Sequence, residues 1–399
     1  MRSGSCLRGN NLFGNLQKPG LFLAFACFLL VRLLAWRYRY QVLGDAYIYY
    51  VPAGLAYVRG GLPTPADWPI TNPEHPLVAK FIIGFFALYL QSSNLASLTF
   101  GLLSAVVLFL IVRNFVGDIV CASIAVFLLA FDEINMTLSI DPMLDIFMLF
   151  FGLLGIYLVL SAGKKKWMFA LAGAAFGLAI ASKWLGVLFI VPSILWLIQD
   201  RKVVDSGLLM TPAVIVYVVS YTPLILTRGF SGFLSLQVWM LHYWMNREGG
   251  TAGILVAINR LIGPFFYVSR LNPWYSFASF RFSSGYYVSL NEGVNPFISS
   301  LPFPMIYSQV RTFLAGRNNP AKRLLFWTLT LFLLVHLISQ DPLESWLFEP
   351  IIALSIIFAA DLLRRAITKN WKFQSLTMLY LALCAAWTLG IIAIVGVGL

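Results

Sequence analysis

The stretch 44–80, GDAYIYYVPAGLAYVRGGLPTPADWPITNPEHPLVAK, gathers Asp45, Asp67, Glu74, His75 and Lys80 between two long apolar runs. A carboxylate at the rim of an apolar run is costly unless it has partners or a job. Two readings of Asp45 follow: a solvated acid at a helix end, or a general base that faces water and a substrate hydroxyl. Glu74-His75 stands between Pro73 and Pro76, whose fixed φ stiffens the backbone there. Adjacent Glu and His side chains can bind a metal, orient a phosphate or hydrogen-bond the first acid. The helical His spacing of a zinc site is missing, and a divalent metal held by Asp45, Glu74 and His242 stays open as a cofactor.

Further along, Asp132-Glu133 opens a polar turn, and Asp141 and Asp145 flank Pro142. Asp145 lies inside the apolar run MLDIFMLFF, where an acid is rare and functionally suspicious. Asp132 and Glu133 read either as interfacial charges at a span end or as supporting acids of a site. Lys183 stands in AIASKWLG with no other charge nearby. It suits a phosphate anion at a membrane surface, with Trp184 beside it, or it snorkels from a span end. His242, in MLHYW, fits a substrate contact or an interfacial aromatic belt equally well, whereas His336 reads as packing within an apolar span.

These residues need a scaffold, and composition decides its class. Of 399 residues 60% are hydrophobic and 11% charged, against roughly 25% charged in soluble domains. Apolar runs of about 15–24 residues recur along the chain, each able to cross a hydrocarbon core about 30 Å thick. The fold class is therefore all-α, a polytopic membrane protein, because helices satisfy every backbone group in lipid. The net charge of +12 reads as the basic excess of cytoplasmic loops, not as a nucleic-acid footprint. Cys6, Cys27, Cys121 and Cys384 are scattered without paired or metal-ligand spacing. Arg32 inside the first apolar run, and no small-residue cleavage site after it, favour a retained first span over a signal peptide.

About eleven spans are expected, near 20–36, 95–112, 118–131, 143–160, 167–181, 184–199, 207–226, 297–312, 323–339, 346–361 and 374–397. If 77–91 lies on the membrane surface, the basic clusters at Arg113, Lys164–Lys166, Arg201-Lys202, Arg317/Lys322/Arg323 and Arg364/Arg365/Lys369/Lys372 share the side of Arg2, Arg8 and Lys18. That is a consistent positive-inside pattern. The face outside the cytoplasm then collects 37–91, the turn 132–142, Lys183, the loop 228–296 and the turn 340–345. Within the long loop, 231–245 suits an amphipathic interfacial helix, 271–277 an aromatic-anchored turn, and 283–297 a short β or turn segment. No internal repeat is visible, and the whole chain reads as one integral membrane domain.

Asp45, NPEHPLVAK (72–80), SIDPMLDIFMLFF (139–151) and GLAIASKWLGVLF (177–189), followed by QVWMLHYW (237–244) and LNPWYSF (271–277), resemble in kind and order the protein O-mannosyltransferases and their prokaryotic relatives. The resemblance is discontinuous and spans about 37–297. Ala46 stands where the family usually has a second acid after the first, and Ile140 where it often has Arg. The loop 228–296 is too short for the β-trefoil that the eukaryotic members insert.

The resemblance implies a GT-C type membrane glycosyltransferase. It moves a hexose, mannose foremost, from a polyprenyl (dolichyl) phosphate to a hydroxyl acceptor with inversion, outside the cytoplasm. Asp45 is then the base and Glu74 its acidic helper. His75, Lys80, Lys183, Trp184 and His242 bind the donor and its phosphate, and Asp132, Glu133 and Asp145 support them. Expected partners are the lipid-linked sugar, a protein Ser/Thr or lipid-linked acceptor and the membrane, with no nucleic acid; a dimer is compatible. The alternatives are a polytopic transporter or lipid flippase, for which repeated halves would be expected, and a non-catalytic relative.

Overall fold

The fold is that of a computed structural model, which describes residues 12–37, 44–67, 70–246, 266–269, 276–281, 287–291, 295–314, 319–338 and 348–397. α1 (Leu12–Arg37) leads to a single π turn (Ala46–Tyr50) that runs into α2 (Val51–Val58). An irregular polar loop joins α2 to α3 (Val78–Tyr89). Then follow α4 (Ser93–Ile111), α5 (Ile119–Ala130), α6 (Glu133–Ile140), α7 (Leu144–Ala162) and α8 (Lys166–Ser182). α9 (Val187–Gln199), α10 (Val203–Val219) and α11 (Thr222–Asn246) complete the first part. A three-stranded antiparallel sheet follows, β1 (Phe266–Ser269), β2 (Ser276–Arg281) and β3 (Tyr287–Asn291), with β3 in the middle. α12 (Pro296–Ser299), α13 (Pro302–Leu314), α14 (Pro320–Ile338), α15 (Glu349–Lys369) and α16 (Trp371–Val397) close the chain.

The protein is a multi-pass membrane protein, helical apart from the small sheet among the described residues. Among the described residues, five helical stretches are long and apolar enough to cross a membrane: Pro19–Arg37, Ser93–Val116, Leu144–Ala162, Thr222–Asn246 and Trp371–Ala393. The pair α5 and α6, bent by 70° at Phe131-Asp132, makes a sixth if it is one broken span. Other expected spans are shorter helices, such as α8 and α10, and the expected span 297–312 is broken into α12 and α13 at Ser300-Leu301, so eleven crossings are not shown. The expected span 207–226 stops as a helix at Val219, and α11 begins at Thr222. The expected interfacial helix 231–245 is the second part of α11, set off by non-helical Gly229 at φ 70° and ψ 175°. That left-handed region is open to glycine at little cost. The expected β or turn segment within 283–297 contains β3.

α8 packs closely on α7 and α10, and α1 on α5. The tightest crossing near the polar loop is between α2 and α3. A methyl group at Gly54 would overlap the backbone of Lys80 and Gly84, and one at Gly84 would overlap Gly54. Small residues let membrane helices approach to backbone contact. This crossing fixes both ends of the loop that carries Glu74 and His75.

Charge segregates along the bundle. α5 begins at Asp118, which pairs with Arg364 near the end of α15 at 2.7 Å. α5 ends near Asp132, beside Glu349 at the start of α15. The two helices are thus antiparallel, with opposite ends tied by different clusters. At the Asp118 end, Asp361 also binds Lys322 at 2.7 Å and Arg365 at 2.9 Å, and Asp200 binds Arg323 at 2.8 Å.

Candidate functional site

The loop 71–77 is held from four directions. Tyr57, on α2, donates its hydroxyl to the Thr71 carbonyl. Asn72 takes a positive φ of 41°, a region where Asn is enriched, and its amide donates to Glu74 Oε1 at 2.8 Å. The Lys80 ammonium, fully buried on α3, donates to the carbonyls of Asn72 and of His75, the latter at 2.7 Å. Trp244, on α11, donates its indole N–H to the Glu74 carbonyl at 2.9 Å, and its ring lies 5.1 Å from the His75 ring. Tyr50 closes the other side of His75, ring to ring at 5.7 Å.

Lys80, expected as a phosphate contact, therefore spends its ammonium on the loop backbone. Burial pushes it down to about 7, against the pull of the Glu74 charge. His242 is exposed on α11. Trp244, two residues on and about 200° around the helix, makes the contact with the loop.

Asp45 stands, half-buried, immediately before the π turn. Two residues later the Tyr47 hydroxyl donates to Asp141 Oδ1 at 3.2 Å. It accepts from the Asn94 amide at 2.7 Å, and the same amide reaches the Ile140 carbonyl at 2.6 Å. Burial is the main cause that lifts the Tyr47 phenol to about 12. The turn between α6 and α7 is thus tied to the segment carrying Asp45.

Lys183 and Asp145, 38 residues apart, form a buried ion pair at 2.7 Å. Asp145 is 0% exposed and Lys183 6%. Lys183 ends α8 in extended backbone, φ −155° and ψ 135°, which breaks the helix and turns the side chain toward α7. Trp184 locks the same turn: its indole donates to the Tyr217 hydroxyl at 2.8 Å, and Tyr217 donates to Gln237 Oε1 at 2.6 Å.

Asp132 and Glu133 are buried, not exposed interfacial charges. Asp132 caps α6 by accepting from the Asn135 N–H at 3.3 Å. Arg32, fully buried on α1, donates to the carbonyls of Ala130 and Leu129, the latter at 2.9 Å, and to Asn135 Oδ1 at 2.6 Å. Asn135 in turn donates to Glu349 Oε1 at 2.7 Å. Among the described residues no three His, Cys, Asp or Glu side chains stand where they could hold one metal ion. Asp45, Glu74 and His242 accordingly do not fit as a ligand set.

Sequence reasoning missed Asn72, Asn94, Tyr47, Asn135, Trp244 and Glu349 as positioning groups. Arg32 had a visible signal, a cation inside an apolar run. Of the aromatic turn 271–277, residues 271–275 lie outside the described residues.

Comparison with known proteins bears on this geometry. Residues 74–226 match the family model described as dolichyl-phosphate-mannose-protein mannosyltransferase. That stretch contains the Glu74–Lys80 loop, the α6–α7 turn and the Asp145–Lys183 pair. No curated protein matches the chain at a significant level. Among solved structures, the chain is similar to ArnT from Cupriavidus metallidurans in the apo state, with TM-score 0.58 and 15% identity over 95% of this chain and 76% of that one. ArnT from the same organism bound to undecaprenyl phosphate gives TM-score 0.59 and 15% identity over 93% and 70%. The archaeal oligosaccharyltransferase AglB from Archaeoglobus fulgidus, in complex with an inhibitory peptide and a dolichol-phosphate, gives TM-score 0.53 and 14% identity over 94% and 55%. The chain therefore spans about half the length of AglB, and at these identities the likeness establishes a shared GT-C fold.

Proposed function

We propose that this chain, whose residues 74–226 match the model of the dolichyl-phosphate-mannose-protein mannosyltransferase family, is a GT-C membrane glycosyltransferase that moves mannose from a polyprenyl phosphate to a protein Ser/Thr hydroxyl. The observation that carries this reading is that Tyr50 packs on His75 and Tyr47 bonds Asp141, which ties the segment carrying Asp45 both to the Glu74-His75 loop and to the α6–α7 turn of the matched stretch. ArnT with undecaprenyl phosphate and AglB with dolichol-phosphate support a polyprenyl phosphate as the donor's lipid.

In this reading the acceptor hydroxyl loses its proton to the Asp45 carboxylate. Its oxygen attacks the anomeric carbon from the face opposite the phosphate. The new C–O bond forms as the bond to the phosphate oxygen breaks, the electron pair leaves with the phosphate, and the configuration inverts. Lys183 is the cation for the leaving phosphate. Asp145 orients its ammonium with one hydrogen bond, which leaves two N–H donors for an anion. Glu74 and His75 line the approach to Asp45, and Lys80 keeps their loop in shape. About eleven crossings, one integral domain and a site outside the cytoplasm complete the reading. The basic residues gathered at the Asp118 end of α5 support the placement of the site on the opposite face.

The test is transfer by the purified protein in lipid, with radiolabelled polyprenyl-phosphate-mannose and a Ser/Thr peptide. Wild type transfers label and Asp45→Asn does not, a loss of about 10²-fold or more. Full activity of Asp45→Asn would overturn the base assignment. Transfer to a lipid-linked saccharide but not to peptide would replace the protein acceptor.

A further inference from the structure

Three buried polar residues far apart in sequence, Arg32, Asn135 and Glu349, form one hydrogen-bonded chain across α1, α6 and α15. Each is 0% exposed. A buried polar network of this kind costs free energy to assemble unless its groups are satisfied, and here it serves a specific place. Arg32 binds the last carbonyls of α5 while it also holds Asn135 in the first turn of α6. It therefore spans the 70° break between those helices. Glu349 fixes the other end of the Asn135 amide, and Asn135 accepts Ser139 Oγ at 2.6 Å through its own carbonyl.

α6 is 8 residues long, too short to hold its own direction without tertiary support. Its far end delivers Asp141 to the Tyr47 hydroxyl, two residues from Asp45. We propose that Glu349 is a positioning residue for the transfer reaction: through Asn135 it sets the direction of α6, and through the Asp141–Tyr47 bond it sets the segment that carries Asp45. The link needs a hydrogen-bond acceptor at position 349, whether or not it is charged. The kinetic part rests on the glycosyltransferase reading above.

Two measurements on the full-length protein in lipid test it. Hydrogen–deuterium exchange over 133–145 reads α6 directly and needs no activity. Exchange is expected to speed up about tenfold or more in Glu349→Ala, as local protection is lost, and to stay near wild type in Glu349→Gln, whose amide oxygen can still accept from Asn135. In the transfer assay, Glu349→Ala is expected to lower kcat by about 10- to 100-fold with the donor KM within about twofold, since no donor contact is removed. Glu349→Gln restores kcat. Unchanged exchange in a folded Glu349→Ala protein would overturn the proposal, as would a Gln variant that fails as Ala does, or a loss confined to KM. A wild type without transferase activity would remove the proposed function, while the exchange result would still decide the link between Glu349 and α6.

Discussion

The Lys183 ammonium meets the Asp145 carboxylate at 2.7 Å between α8 and α7, in a place where Asp145 has no exposure. Removal of one member of a buried pair strands the other charge, at a cost of about 3–5 kcal/mol, whereas apolar replacement of both is often neutral. Lys183→Met is therefore expected to unfold at clearly lower temperature than wild type in lipid, and Lys183→Met with Asp145→Leu to recover most of that loss. Under the proposed function, mannose transfer should stay absent in the double variant, because the cation assigned to the leaving phosphate is gone. Recovery of transfer along with stability would make the pair purely structural.

The α11 face that meets the site is defined by Trp244 and not by His242. Trp244 holds the Glu74 carbonyl and packs its ring, tilted, against His75, while His242 is exposed on another face. Trp244→Phe keeps the ring and loses the N–H donor, a neutral hydrogen bond worth about 0.5–1.5 kcal/mol. Transfer is expected to fall about 3- to 10-fold in Trp244→Phe and further in Trp244→Ala, with His242→Ala within about twofold of wild type. Steady-state kinetics on the three variants decides it; a large effect at His242 would restore that residue as a direct contact.

The parts legible in the sequence are those where charge is rare against an apolar background. Asp145 and Lys183 stood out for that reason, and they prove to bind each other. The Glu74–Lys80 loop stood out by its prolines. The Arg32–Asn135–Glu349 chain was hidden because its members are 103 and 214 residues apart, and no local pattern links them. Helix identity followed from hydropathy, but helix ends did not. The break at Gly229 and the stop at Val219 depend on backbone geometry that apolar content does not encode. The strands β1 and β2 are short, and β1 pairs with β3 across the intervening β2.

Lys80 gives the loop a pH dependence with a definite sign. Its ordinary value of 10.5 falls to about 7 in the folded protein. Between those values the unfolded chain binds more protons than the folded one, so stability rises with pH through that window and is lost as pH falls toward about 7. Wild type is expected to gain more thermal stability than Lys80→Met between pH 7 and pH 9, measured in the same lipid and salt. Other titrating groups are common to both proteins and cancel in the comparison. Parallel pH profiles for the two would show that Lys80 stays fully charged throughout.

The proposed orientation rests on the two ends of the bundle. The loops around Arg113, Lys164–Lys166, Arg201-Lys202 and Lys322-Arg323 are basic, and an excess of Lys and Arg favours the cytoplasmic side. The ion pairs of Asp118 with Arg364, Asp361 with Lys322 and Asp200 with Arg323 gather several of these segments at one end. Asp67 is exposed on the 59–77 loop and Lys165 is exposed between α7 and α8. In a background without the four native cysteines, Asp67→Cys should react with a membrane-impermeant maleimide in intact cells. Lys165→Cys should react only after the membrane is opened. Reaction at Lys165→Cys from outside, with Asp67→Cys protected, would put the Asp45 segment in the cytoplasm and require a donor presented on that face.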